Sequence, residues 1–150
     1  MWPETHKQVK LELALLRQLV DFYRPLVEKA RGSEPEPFDL SALAAGLHSF
    51  YTGIEKVFSY IAKDVDGSLP SGMSSHSRLL TAMSQPTKTR PAVISEDLFI
   101  KLYEYMDFRH VFRHAYTIEL KWRKMADLVL HCEETLDRLQ TELEAFFATD

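Results

Sequence analysis

The feature that most limits what this chain can fold into is a single spacing of apolar residues, repeated from end to end. Val9, Leu13, Leu16, Val20, Tyr23 and Val27 recur at alternating steps of four and three. Leu43, Leu47, Phe50, Ile54, Val57 and Ile61 do the same, and Leu128, Cys132, Leu136, Leu139, Leu143 and Phe146 follow steps of four and three without strict alternation. Steps of four and three keep side chains on one face of a 3.6-residue helix. No stretch alternates apolar and polar residues as a half-buried strand would, and no internal repeat is present. The expectation is an all-α protein: an antiparallel bundle of four long helices plus a short one.

Punctuation in the sequence sets the expected boundaries. The first helix runs from Pro3 to Arg31, with Pro25 as a potential kink, and Gly32-Ser33-Glu34-Pro35-Glu36-Pro37 ends it. Asp39 is the expected N-cap of a second helix, closed by Asp66-Gly67 and by Pro70-Ser71-Gly72. A short helix is expected over 74–84, followed by a loop through Pro91. Ser95, with Glu96 and Asp97 behind it, places a capping hydroxyl and two acids at the positive end of a fourth helix. The last helix is expected to run unbroken from Lys121 to Phe147.

At 150 residues, with 45% hydrophobic content, 5 glycines and 7 prolines, the chain has the size and composition of a single globular domain, 1–150. Its net charge of −4 gives no overall argument for a nucleic-acid partner, but the distribution is uneven. Between Lys101 and Lys124 there are six Lys or Arg against three acids, while from Met125 onward seven acids face Arg138 alone. A locally basic segment can bind a polyanion on an acidic chain, because the field that matters is local. Cys132 is the only cysteine, which fits a reducing compartment, and it is expected to be a buried small hydrophobe. With no apolar leader and no run near the ~20 residues that span a bilayer, the expected location is cytoplasmic, away from membranes.

Chemistry concentrates in Arg109-His110-Val111-Phe112-Arg113-His114-Ala115-Tyr116. From Leu98 to Phe112 ten of fifteen residues are apolar or aromatic and occupy all sides, as in a helix that is central or shared with a partner chain. Along the seam Leu98, Leu102, Tyr105, Arg109, Phe112, Tyr116, the arginine and the last tyrosine fall in register with core residues. A guanidinium there needs a carboxylate, a phosphate or an open cleft. On chemistry alone a salt bridge to Glu104, Asp107 or another helix stands level with a functional role. His114, five residues on, lies about 140° away on a continuous helix. The two meet only if the helix breaks between them or if a symmetric copy supplies the second group.

Arginine offers a planar fork of donors to a phosphate, and histidine moves protons near neutral pH. Together they suit RNA cleavage with the 2′-hydroxyl as nucleophile, and no acidic cluster lies near to hold magnesium ions. His110 and His114 sit at i, i+4, but the stretch reads HVFRH. It lacks the glutamate of an HExxH motif and a third ligand, so neither a metal nor another cofactor is expected. His6, His48, His76 and His131 are read as structural or surface histidines. Arg113, Lys121, Arg123 and Lys124 are read as a phosphate-tracking rim, with a solvated, charged helix start standing level with it.

At these residues the chain resembles the HEPN superfamily, specifically its HepT-like toxins, whose pattern is Arg, a polar residue, three more residues, then His-x-Tyr. Arg109, His110, Val111-Phe112-Arg113, His114, Ala115 and Tyr116 match without a gap. Leu47-His48-Ser49-Phe50-Tyr51-Thr52-Gly53-Ile54-Glu55, the Asp66-Gly67 turn and Arg90-Pro91-Ala92-Val93-Ile94-Ser95 are similar as well, so the likeness covers roughly 40–145. The resemblance implies a homodimer with a shared cleft and a metal-independent endoribonuclease that leaves 2′,3′-cyclic phosphate ends. By position, Arg109 stabilises the scissile phosphate, His114 is the acid/base, and His110 occupies the variable polar place. It also implies a minimal nucleotidyltransferase antitoxin that AMPylates Tyr116. The alternative is a non-catalytic helical adaptor that partners a nucleotidyltransferase or binds a nucleotide.

Overall fold

A computed structural model describes residues 2–149. Six α-helices and one 3-10 turn follow in order: α1 (Pro3–Gly32), α2 (Pro37–Asp64), α3 (Ser75–Met83), α4 (Glu96–His114), the 3-10 turn (Thr117–Glu119), α5 (Trp122–Leu130) and α6 (Cys132–Ala148). No strand occurs among the described residues. The all-helical expectation holds, but the expected four long helices become six segments of unequal length.

α2 is the hub. Its whole apolar seam, from Leu43 through Leu47, Phe50, Ile54 and Val57 to Ile61, is buried, and α1, α3, α4 and α5 all pack against it. α1 buries Val9, Leu13 and Leu16, and leans Val20, Tyr23 and Val27 on the same core. The close approach of α1 to α2 depends on Gly53, because a Cβ there would lie 2.5 Å from Leu16 Cδ2. α6 closes the other side with Leu136, Leu139, Leu143 and Phe146.

Two boundaries differ from expectation for local and tertiary reasons. α2 begins at Pro37, with Glu36 as N-cap, not at Asp39. Proline at the first helical position has no N–H to leave unpaired and a φ already suited to the helix. Asp39 then falls in the first turn, where its carboxylate takes Lys29 at 3.1 Å. α1 continues through Pro25 without ending.

The last helix is broken at His131 (φ −110°, ψ 13°). Backbone carbonyls just before the break are captured from outside. The Tyr105 hydroxyl donates to the Leu128 carbonyl at 2.6 Å, and Arg31 Nη2 donates to the Leu130 carbonyl at 2.8 Å. Both carbonyls would serve the next helical turn in an unbroken helix. Cys132 follows the break, and burial pushes its thiol up to about 12, so it is no nucleophile at neutral pH.

The start of α4 is held firmly. Ser95 Oγ accepts from Leu98 N at 3.2 Å, the cap expected from sequence. Ser95 N and Oγ both bond Glu142 of α6, at 2.6 and 2.8 Å. The preceding loop is pinned by Val93 N and Ile94 N on the Met83 carbonyl, and by Arg90, whose buried guanidinium grips Asp66. No helix among the described residues is long and apolar enough to cross a membrane.

Candidate functional site at the end of α4

α4 changes character along its length. Leu98, Leu102 and Tyr105 are buried, whereas from Met106 to His114 every residue is half-buried or exposed. The core seam therefore stops before the charged cluster begins. The helix runs without interruption to His114 and stops there, with Ala115 in extended backbone. Of the two ways in which Arg109 and His114 could meet, a break between them is thereby removed. Within one chain they diverge by about 140° around the helix.

Tyr116 does not continue the seam, contrary to its register in the sequence, because it lies beyond the helix end. Its ring is 77% exposed, and its backbone N–H donates to Glu119 Oε1 at 2.9 Å across the 3-10 turn. His110 and His114, one turn apart on the exposed side, set their rings edge to face with centroids 4.7 Å apart.

Arg109 is half-buried against α2. The salt bridge weighed against a functional role is absent among the described residues: Glu104 pairs instead with Lys101 at 3.3 Å. The guanidinium instead meets Thr52 of α2, whose Oγ1 accepts from Arg109 Nε at 3.1 Å. Thr52 Oγ1 spends its own proton on the His48 carbonyl at 2.8 Å, one turn back. Neither Nη1 nor Nη2 of Arg109 has a hydrogen-bond partner among the described residues.

Two further α2 side chains crowd this spot. The His48 ring packs on Phe112 of α4, centroids 5.3 Å apart, and its Nδ1 is buried without a partner among the described residues. Burial first, then the positive charges of Arg109 and Arg113, hold His48 below the ordinary histidine range, so it is neutral at pH 7. The Tyr51 hydroxyl is likewise buried and unpartnered among the described residues. Burial and then the Glu55 charge raise its pKa above the usual tyrosine value, against the opposing pull of Arg109.

His48, read as a structural histidine, does pack as one, but beside the motif; the other three histidines have structural or surface contacts elsewhere. His6 stacks on Phe147 at 4.5 Å, His76 pairs with Glu55 at 2.9 Å, and His131 bonds the Asp127 carbonyl at 2.9 Å. Arg113, Lys121, Arg123 and Lys124 are exposed and make no ion pair among the described residues. Lys121 and Lys124 line a groove of about 460 Å³ between α4 and α5 that also carries Glu104, Asp107, Glu119 and Asp127. No group of three His, Cys, Asp or Glu side chains among the described residues is arranged to hold a metal ion.

A family model described as "HepT-like protein" matches residues 42–149. The chain belongs to the HepT-like family. The matched span begins inside α2 and takes in Thr52, His48 and the complete Arg109–Tyr116 motif, so the family sequence covers both helices that meet at the site. No curated protein and no solved structure matches this HepT-like chain. A signal for the missed α2 residues was present, in the Leu47–Glu55 segment that carries part of the family likeness. What no spacing rule conveys is that Thr52 and Arg109, 57 positions apart, meet between two helices.

Proposed function

We propose that this HepT-like protein is a metal-independent endoribonuclease of the toxin type, working as a homodimer and silenced when a nucleotidyltransferase antitoxin AMPylates Tyr116. The observation that carries the reading is the state of Arg109. A half-buried guanidinium with no carboxylate partner among the described residues, and with both terminal nitrogens open, is a cation left for an anion from outside.

The chemistry follows from the residues. A ribose 2′-oxygen attacks the neighbouring phosphorus, forming the 2′,3′-cyclic phosphate as the bond to the 5′-oxygen breaks. An imidazole takes the 2′-hydroxyl proton and another returns one to the 5′-oxygen, which is work suited to His114 and its symmetry copy. Arg109 neutralises the charge that builds on the non-bridging oxygens. Since Arg109 and His114 diverge on one helix, the complete constellation is drawn from two chains, with His110 beside His114 and with Arg113, Lys121, Arg123 and Lys124 as the outer rim. Tyr116, exposed beside the cluster, is open to a modifying enzyme, and an added phosphate there repels RNA phosphates and fills the cleft.

The same divergence favours the second reading, a non-catalytic helical adaptor in which the motif serves only to join chains. Incubation of the purified protein with RNA in excess EDTA separates the two. Products with 2′,3′-cyclic phosphate ends support the nuclease. Intact RNA, from protein whose mass shows an unmodified Tyr116, supports the adaptor.

A further inference from the structure

We infer that Thr52 of α2 is a positioning residue for Arg109, fixing the guanidinium so that only its terminal Nη1/Nη2 fork is presented to a phosphate. The inference rests on the reading that Arg109 binds the scissile phosphate.

A guanidinium can grip two oxygens in two ways: side-on, through Nε and one Nη, or end-on, through both Nη groups. In this protein Nε is already committed, donating to Thr52 Oγ1 at 3.1 Å. Thr52 can accept that bond because its own proton is directed to the His48 carbonyl at 2.8 Å, which turns an oxygen lone pair toward α4. Bond, hydroxyl and carbonyl thus form a relay of fixed polarity, Arg109 to Thr52 to His48. It removes the side-on mode and leaves the end-on fork free.

The relay also limits the freedom of a long side chain. Arginine loses considerable rotamer entropy when ordered, and a bond at Nε orders it before substrate arrives. A phosphate then meets a guanidinium already aimed, and less binding energy is spent on orienting it. Thr52 touches neither substrate nor reacting atoms, and it acts through Arg109 alone. Serine keeps the hydroxyl and hence the relay. Valine keeps the shape and β-branching but has no acceptor.

The test compares wild type, Thr52→Val, Thr52→Ser and Arg109→Ala in two assays. The first is RNA cleavage in excess EDTA. The second is fluorescence-anisotropy binding of a 2′-O-methyl oligoribonucleotide, which cannot be cleaved for lack of a free 2′-hydroxyl. Thermal unfolding and sedimentation identify any variant whose fold or assembly is altered. Thr52→Val should lower kcat/KM roughly two- to tenfold, the cost of ordering one flexible side chain on binding. Thr52→Ser should recover most of that loss.

If the wild type cleaves and Thr52→Val matches it, or if Thr52→Ser is as impaired as Thr52→Val, the relay is overturned while the nuclease reading stands. If the wild type does not cleave, the nuclease reading falls and the binding assay decides. Weaker binding by Thr52→Val, restored in Thr52→Ser, upholds the positioning role, and binding unchanged in Thr52→Val or in Arg109→Ala overturns it. Should valine prevent folding, Thr52→Ala is read by the same criteria.

Discussion

The Arg90 guanidinium, its side chain fully buried, grips both carboxylate oxygens of Asp66, Nε to Oδ1 at 2.6 Å and Nη2 to Oδ2 at 2.8 Å. Its remaining donors go to the carbonyls of Gln85, Pro91 and Ala82. One arginine therefore ties the end of α2, the end of α3 and the loop leading into α4. Removing the carboxylate leaves a buried cation without its counter-charge, which typically costs about 3–5 kcal/mol. Asp66→Ala should lose stability on that scale in urea unfolding, and a loss below about 1 kcal/mol would contradict the role assigned to this pair.

His48 makes folding stability depend on pH. Burial, followed by the charges of Arg109 and Arg113, lowers its pKa from 6.5 in the folded chain, while the unfolded chain keeps the ordinary value. As pH falls through that value, the unfolded state takes up a proton that the folded state declines, so stability decreases. His6 acts in the same direction, through burial first and Lys10 second. The urea midpoint should fall between about pH 7.5 and 5.5, and His48→Gln should reduce the fall. An identical pH dependence in wild type and variant would show that His48 is not the group responsible.

His114 is exposed at the last position of α4, so its side chain contributes little to the fold. In the nuclease reading, His114→Ala should reduce cleavage by about 10²–10⁴-fold, as for loss of a positioned acid/base. The unfolding free energy should move by no more than about 0.5 kcal/mol, as for an ordinary surface change. Loss of the dimer in sedimentation, with the helical signal intact, would instead give the motif a structural role.

The exposed cations Lys121, Arg123 and Lys124 lie just past the motif and have no acidic partners among the described residues. If they track the backbone of bound RNA, each phosphate they neutralise releases counterions. Changing all three to glutamine should flatten the plot of log binding constant against log salt by roughly 0.7 for every phosphate no longer neutralised. A slope equal to that of the wild type would remove them from the interface.

Much of this arrangement is legible in the sequence, and the exceptions have identifiable physical causes. The buried faces of α1, α2 and α6 follow directly from apolar spacing, and the Ser95 cap follows from residue chemistry. The end of α2 and the loop beyond α3 carry turn residues that mark them. The break at His131 is different, because the bonds that accompany it, from Tyr105 and Arg31, come from elsewhere in the fold. The site divides in the same way. Arg109, His114 and Tyr116 are visible as a motif along one segment. Thr52 and His48 become part of the site only when α2 and α4 pack together. Tyr116 misleads for a third reason: its sequence register extends past the point where the helix ends.

The clamp on the start of α4 bears on how freely its far end can change. Ser95, Glu142 and the Arg90 loop hold one end, and the last fully buried side chain of the helix is Tyr105. Beyond it Met106, Phe108 and Phe112 lean on the core only partly buried, and the motif's side chains sit on that less buried segment. A change of side chain on this segment removes less buried contact than one at the clamped end. Drift at the clamped end is therefore filtered by survival of the fold more strictly than drift at the far end.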